Sequence, residues 1–213
     1  RDRSVSRGLG DVYKRQLKDK NRFELLITDE NELSGLPESA RDAAAMLAKS
    51  KDKNGWLFNL SAPSYIPFMR YSDKRDLREK MYREYMSVGN KGDEFDNKDI
   101  IKKIVNIRLE IAQLMGFKNY AEYALEHTMA KNSANVYKLL NQLLEAYKPI
   151  AINEYNAVEG FALGTEKENI TVMPWDWSYY SEKLRDIRFK VNDEMTRPYF
   201  ELSLIHISEP TRH

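Results

Sequence analysis

Cysteine is absent from the 213 residues, which removes disulfides, thiolate zinc sites, iron–sulfur clusters and cysteine nucleophiles together. A chain of this kind suits a reducing compartment, and a cytoplasmic location is expected. Histidine is nearly as scarce. His127, His206 and His213 are the whole supply, so any imidazole base or metal site must draw on these three. Net charge is only +1, from 34 basic and 33 acidic side chains. That creates no field able to hold a polyanion, and nucleic acid is not an expected partner. No stretch approaches the ~20 consecutive apolar residues that span a bilayer, and no apolar run of signal-peptide type opens the chain, so no membrane partner is expected either. What is present, 42% hydrophobic and 31% charged residues, supplies enough apolar surface to offset ordering entropy in a globular chain of one or two domains.

The two ends differ from the middle. Residues 1–16 (RDRSVSRGLGDVYKRQ) show neither a helical nor a strand period, and residues 204–213 (LIHISEPTRH) are equally aperiodic. Both strings resemble translated sequencing adapters and are expected not to be native. The expected organisation is therefore a partial helical domain over 17–203 between two foreign ends. His206 and His213 fall outside that domain and leave His127 as its single imidazole.

Within 17–203, Phe23–Ile27 and Trp56–Leu60 are short apolar runs that suit strands. Between them Ser39 is placed to cap an alanine-rich helix, giving a strand–helix–strand unit near the N-terminus. Pro63 and Pro67 bracket an expected turn, after which Ser72 can cap a helix carrying Leu77, Met81, Tyr82 and Tyr85. Gly89 and Gly92 end it. Ile100, Ile104, Ile107, Ile111 and Leu114 then recur at spacings of 4, 3, 4 and 3, one helical stripe that Gly116 closes. Ile101, Val105, Ala112 and Met115 form a second stripe beside it. So wide an apolar face predicts burial against more than one neighbour. Asn119 opens a further helix. Asn132 or Ser133 caps a long one through Val158, in which Pro149 should impose a kink or a division and Gly160 and Gly164 mark the end. A last helix follows Asp176, taken as its N-cap, through Tyr180, Leu184, Ile187, Val191 and Met195. The predicted fold is mainly α, an irregular multi-helix array with the small strand–helix–strand unit near its start. No fixed-period repeat indicates a solenoid.

Chemical motifs are few. A helical zinc hydrolase presents H-E-x-x-H, which sets two imidazoles on one helix face beside a glutamate base; the chain has no such string. Glu122 and Glu126 stand four apart with His127 adjacent. That trio has the residue types for a hard cation, but a solvated helix face accounts for it better. Ser50-Lys51-Asp52-Lys53 matches S-x-x-K without the accompanying S-D-N or K-T-G, and Gly8-Leu9-Gly10 lacks the third glycine of a dinucleotide fingerprint. Asn59-Leu60-Ser61 and Asn169-Ile170-Thr171 are formal sequons of the kind that recur by chance. The aromatic residues, 11% of the chain, are expected to be core.

Several longer phrases are more specific. They are LSGLPESA (Leu33 to Ala40), WLFNLSAPSYIPFMRYS (Trp56 to Ser72), LREKMYREY (Leu77 to Tyr85), IRLEIAQLMGFKNYAEY (Ile107 to Tyr123), Met129-Ala130, PWDWSYYSEKL (Pro174 to Leu184) and PYFEL (Pro198 to Leu202). In this order they resemble the thimet-oligopeptidase family of zinc metallopeptidases, with the bacterial peptidyl-dipeptidase (dipeptidyl carboxypeptidase) branch as the nearest likeness. The resemblance implies a larger two-lobed helical peptidase in which one zinc ion, held by the HExxH histidines and a downstream glutamate, cleaves short peptides. It also implies that the zinc-binding helix lies well beyond PYFEL. No catalytic, metal-binding or substrate-binding residue can therefore be carried onto this chain. The expectation is a fragment of a zinc-dependent oligopeptidase that binds no catalytic zinc and hydrolyses no peptide itself, with no obligate partner. Apolar stripes such as Ile100 to Leu114 are expected to lie partly exposed and to make the isolated chain poorly soluble. The competing reading is a non-catalytic helical module that binds a peptide or a protein.

Overall fold

The computed structural model describes residues 3–166, 170–190 and 195. In chain order the described residues form α1 (Arg3–Arg22), β1 (Leu25–Ile27), a 3-10 turn (Glu30–Leu33), α2 (Glu38–Ser50), β2 (Trp56–Phe58), α3 (Ala62–Tyr71), α4 (Arg75–Met86), α5 (Lys98–Leu114), α6 (Tyr120–Leu125), α7 (Ser133–Thr165) and α8 (Pro174–Phe189). The mainly α expectation holds, and β1 pairs with β2 in a two-stranded sheet. The described residues fall into two units. One draws on Arg1–Leu25, Asn59–Ser61 and Met81–Ala157, the other on Leu26–Phe58, Ala62–Lys80 and Val158–His213.

In the first unit α1 packs on α5 and α5 on α6. Residues Arg3–Arg22 form helix α1 although the sequence shows no helical period over 1–16. Its inner face is small and polar, which is why no apolar period announces it. A Cβ on Gly8 would come within 3.0 Å of the Ile104 side chain. The Val12 carbonyl accepts from Asn97 Nδ2 at 3.3 Å, and the buried Asp19 carboxylate accepts from the Gly89 N–H at 2.8 Å. Leu9 and Leu17 meanwhile face outward. On α5 the first stripe is the inner one as far as Ile111, with Ile104 buried and Ile100, Ile107 and Ile111 half-buried, but its last member, Leu114, is exposed. The second stripe is a correction: of its members only Ala112 is buried, while Ile101, Val105 and Met115 are exposed. Asn119 caps α6 as expected, accepting from the Glu122 N–H at 3.0 Å. Asn132 caps the start of α7 through the Asn135 N–H at 2.9 Å. Pro149 does not divide α7, which runs on through Gly160 and Gly164 to Thr165.

In the second unit α2 lies on β2, and α3 packs against α8 and α2. Pro37 rather than Ser39 stands at the α2 N-cap. The turn expected across Pro63 and Pro67 is instead α3. Pro63 falls in the first turn, where its missing N–H has no helical bond to lose, while Pro67 forfeits one. Burial of Phe68 and Met69 compensates, the Phe68 ring meeting Phe58 edge-on at 4.8 Å. Val158 and Ala162, on the last turns of α7, pack against Tyr179 and Tyr180 of α8. Asp176 is not the α8 N-cap. The helix begins at Pro174 after Met173, and Asp176 sits three residues in, where it reaches back to accept from the Met173 N–H at 3.1 Å. Val191 lies outside the described residues.

Candidate functional site

A dense polar constellation lies in the second unit, where the start of α4 meets the start of α8. Asp176 has no solvent exposure and Arg78 is 1% exposed. Arg78 donates through Nη2 to Asp176 Oδ1 at 2.9 Å, through Nη1 to the Ser72 carbonyl at 2.7 Å, and through Nε to the Trp175 carbonyl at 3.3 Å. Arg75 grips the same carboxylate through Nε, 3.1 Å from both oxygens, and through Nη2, 2.7 Å from Oδ2; Nη2 also donates to the Thr171 carbonyl. An unpaired buried carboxylate would be protonated, and burial does push Asp176 upward. The hydrogen bonds from Arg75, Arg78 and the Met173 N–H outweigh that push and hold its pKa below the ordinary carboxylate value. Arg75 is raised in turn, first by its bonds to Asp176.

A second carboxylate, Asp73, extends the network from the loop before α4. Its oxygens accept from Ser34 Oγ at 2.7 Å, Tyr179 Oη at 2.7 Å and Lys183 Nζ at 3.2 Å. Burial raises Asp73, but these three donors bring it below its usual value. Two cations lie over the Tyr179 ring, Arg78 at 4.0 Å and Lys183 at 4.4 Å from its centroid. Gly35 makes the approach of the Ser34 loop possible: it adopts φ +84, and a Cβ there would stand 2.1 Å from the Tyr71 carbonyl. Nearby, Glu182 accepts from Tyr71 and Arg185, and Tyr180 donates to Glu166 at 2.6 Å. Beside Ser34 opens a groove of about 630 Å³ lined by Glu30, Asn31, Leu33, Ser34, Arg41 and Lys74.

This arrangement fastens helices and loops. Asp176 is engaged by two guanidinium groups and the Met173 N–H, and Asp73 by one cation, Lys183, and by the hydroxyls of Ser34 and Tyr179, so both carboxylates hold neighbouring side chains in place. The candidates raised by sequence do not assemble a centre. Helix α6 stops at Leu125, so Glu126 and His127 lie past its end; the His127 side chain is 88% exposed and its Nε2 is 3.7 Å from Glu126. Ser50 Oγ donates to the Leu47 carbonyl at 2.8 Å as the last turn of α2 closes. Gly8 and Gly10 are interior to α1, and Asn59 Oδ1 accepts from the Ser61 N–H and hydroxyl in a local turn. Asn169, His206 and His213 lie outside the described residues. Among the described residues no group of three His, Cys, Asp or Glu side chains could hold a metal ion. Arg78 and Asp176 stood in the phrases LREKMYREY and PWDWSYYSEKL, but neither phrase reveals that they meet.

The family model described as Peptidase family M3 matches residues 68–206. Oligopeptidase A of Salmonella typhimurium is 39% identical over 200 residues, covering 90% of this chain and 29% of that protein. Oligopeptidase A of Haemophilus influenzae is 41% identical over 184 residues, covering 84% and 27%. Dipeptidyl carboxypeptidase of Escherichia coli is 28% identical over 182 residues, covering 85% and 27%. The chain thus spans under a third of the length of these relatives, and both kinds of peptidase are represented, oligopeptidase A at the higher identity. With more than half of its residues matched, the chain belongs to peptidase family M3.

Proposed function

We propose that this polypeptide is part of a zinc-dependent, cytoplasmic oligopeptidase or peptidyl-dipeptidase that hydrolyses short peptides, and that the 213 residues contribute scaffold and wall rather than chemistry. The family match over residues 68–206, together with 38–41% identity to bacterial oligopeptidases A, carries this reading. Family membership implies zinc, which polarises a carbonyl and activates water. The described residues do not fit it. A catalytic zinc site takes three protein ligands with a position left open, whereas His127 is solvent-exposed with one carboxylate near it. No catalytic step is therefore assigned to this chain. The Asp176 and Asp73 networks serve the scaffold by fixing how α8 and the Ser34 loop seat on α4. No described helix is long and apolar enough to cross a membrane.

Two measurements on the purified 213-residue chain test this: zinc content by elemental analysis, and turnover of a quenched peptide, with oligopeptidase A of Salmonella typhimurium run alongside. Substoichiometric metal and no turnover are expected. Stoichiometric zinc with turnover refutes the scaffold assignment, and saturable peptide binding without turnover favours the non-catalytic module.

A further inference from the structure

Asn54 is the one asparagine of the chain that a glycine follows. It stands in the bend between α2 and β2 and is exposed to solvent. Among the described residues no hydrogen bond or ion pair holds its side chain. Two other asparagines set the contrast. Asn132 precedes the small Ser133, but its Oδ1 accepts from the Asn135 N–H at 2.9 Å, and Ser133 already opens α7. Asn59 Oδ1 accepts from the Ser61 N–H at 3.0 Å and from the Ser61 hydroxyl at 2.6 Å, and a leucine follows it.

The carbonyl carbon of an asparagine side chain lies within reach of the next residue's backbone nitrogen, and attack closes a cyclic imide. A Cβ on that next residue crowds the attack, and a capped or helical asparagine is held away from it. Gly55 has no Cβ and adopts φ +114, and a Cβ there would stand 2.3 Å from the Ile27 carbonyl oxygen. The seat of β2 on β1 therefore demands glycine at 55, directly after a free, exposed asparagine. We propose that Asn54 is a self-modifying site, which deamidates in the folded chain and lengthens the backbone where β2 begins. The Gly55 nitrogen attacks Asn54 Cγ; the N–Cγ bond forms, the Cγ–Nδ2 bond breaks, and Nδ2 leaves as ammonia with the proton given up by the Gly55 amide. Water then opens the imide. Breaking the new bond to Cγ leaves aspartate, while breaking the bond to the main-chain carbonyl leaves isoaspartate, with the chain routed through Cβ and Cγ. No oxidation or reduction occurs, and water is the only co-reactant. Both products add a carboxylate, but only isoaspartate adds a carbon to the main chain. Leu57 and Phe58 are fully buried, so β2 cannot shift to absorb it without disturbing the core. The inference is independent of the peptidase reading.

The purified 213-residue chain is aged in warm, mildly alkaline buffer and digested with trypsin, which releases residues 54–70 as one peptide containing both Asn54 and Asn59. Fragment masses are expected to place an amide-to-acid gain at Asn54, in two separable products of equal mass, growing faster as pH rises. Asn59 and Asn132 should stay intact, and modification at either as fast as at Asn54 overturns the proposal. A synthetic peptide of residues 50–60 gives the unrestrained rate. The folded chain should react within a few-fold of it, whereas slowing of roughly tenfold or more means that reaction waits on local opening and overturns the assignment. Asn54→Gln, which closes the imide far less readily, should abolish the change. Tryptophan fluorescence in urea, with Trp56 beside the site, then separates the two products. Aged wild type should contain a fraction with a lower midpoint, and fresh Asn54→Asp should keep the midpoint of fresh wild type. Equal midpoints in aged wild type and Asn54→Asp refute the lengthening of the backbone.

Discussion

Replacing Asp176 by alanine tests the buried network most directly. The substitution strands Arg78, which is 1% exposed, with two carbonyl acceptors and no counter-charge, and it also removes the acceptor for the Met173 N–H. Removing one partner of a buried pair costs about 3–5 kcal/mol, because the remaining charge stays desolvated. Arg75 differs: at 44% exposure it can return to water, so Arg75→Ala should cost about 1 kcal/mol or less. The three tryptophans, Trp56, Trp175 and Trp177, all lie in the second unit. Tryptophan fluorescence in urea therefore reports on that unit specifically. With a urea dependence of about 1–3 kcal/mol per molar, Asp176→Ala should lower the midpoint by roughly 1–5 M. Acid gives a second reading. The folded pKa of Asp176 is depressed below 3.8, so its contribution is complete above the unfolded value and is lost as pH falls through the folded one. Wild type should weaken below about pH 4, and the variant should lose part of that acid limb. A variant within about 1 kcal/mol of wild type, or an Arg75→Ala variant equally damaged, refutes the argument.

Other expectations follow from single contacts. Gly35→Ala forces a Cβ toward the Tyr71 carbonyl at positive φ and should destabilise the second unit by more than about 1 kcal/mol, read by the same fluorescence titration. Asn119→Ala removes the α6 cap and should cost about 1 kcal/mol in the first unit, followed by far-ultraviolet dichroism because that unit has no tryptophan. Tyr180 is pushed well above the ordinary tyrosine value, first by burial and then by Glu166. Its contribution should be present below about pH 10 and fade as pH rises through the folded value. Tyr180→Phe should shrink the high-pH limb of a tyrosine absorbance titration, and an unchanged limb would count against this.

The elements legible in the sequence were those whose signals are local. The Ile100 to Leu114 spacing marked α5, and Asn119 and Asn132 marked two helix starts. Helix α3 was hidden because prolines signal a turn, yet in α3 their penalty falls on a first turn and on a single bond that the burial of Phe68 and Met69 offsets. Helix α1 was hidden because its inner face is made of Gly8, a backbone carbonyl and Asp19 rather than leucines. Asp176 was seen as a helix-start residue, since capping is a local property. Its link to Arg78, 98 residues away, was not, because a charged side chain has the same pattern in sequence whether it faces water or a partner. The family phrases led to the correct family by a route independent of these contacts.

The crowding around Asp176 also limits how this position can change over evolutionary time. Its two oxygens already accept from Arg75, Arg78 and the Met173 amide, roughly the full lone-pair capacity of a carboxylate. Asparagine would turn an amide donor toward a guanidinium, and glutamate would add a methylene where no solvent space exists. Change at position 176 is therefore tied to residue 78, and even a joint apolar exchange would leave the Ser72 and Trp175 carbonyls and the Met173 N–H to find other partners.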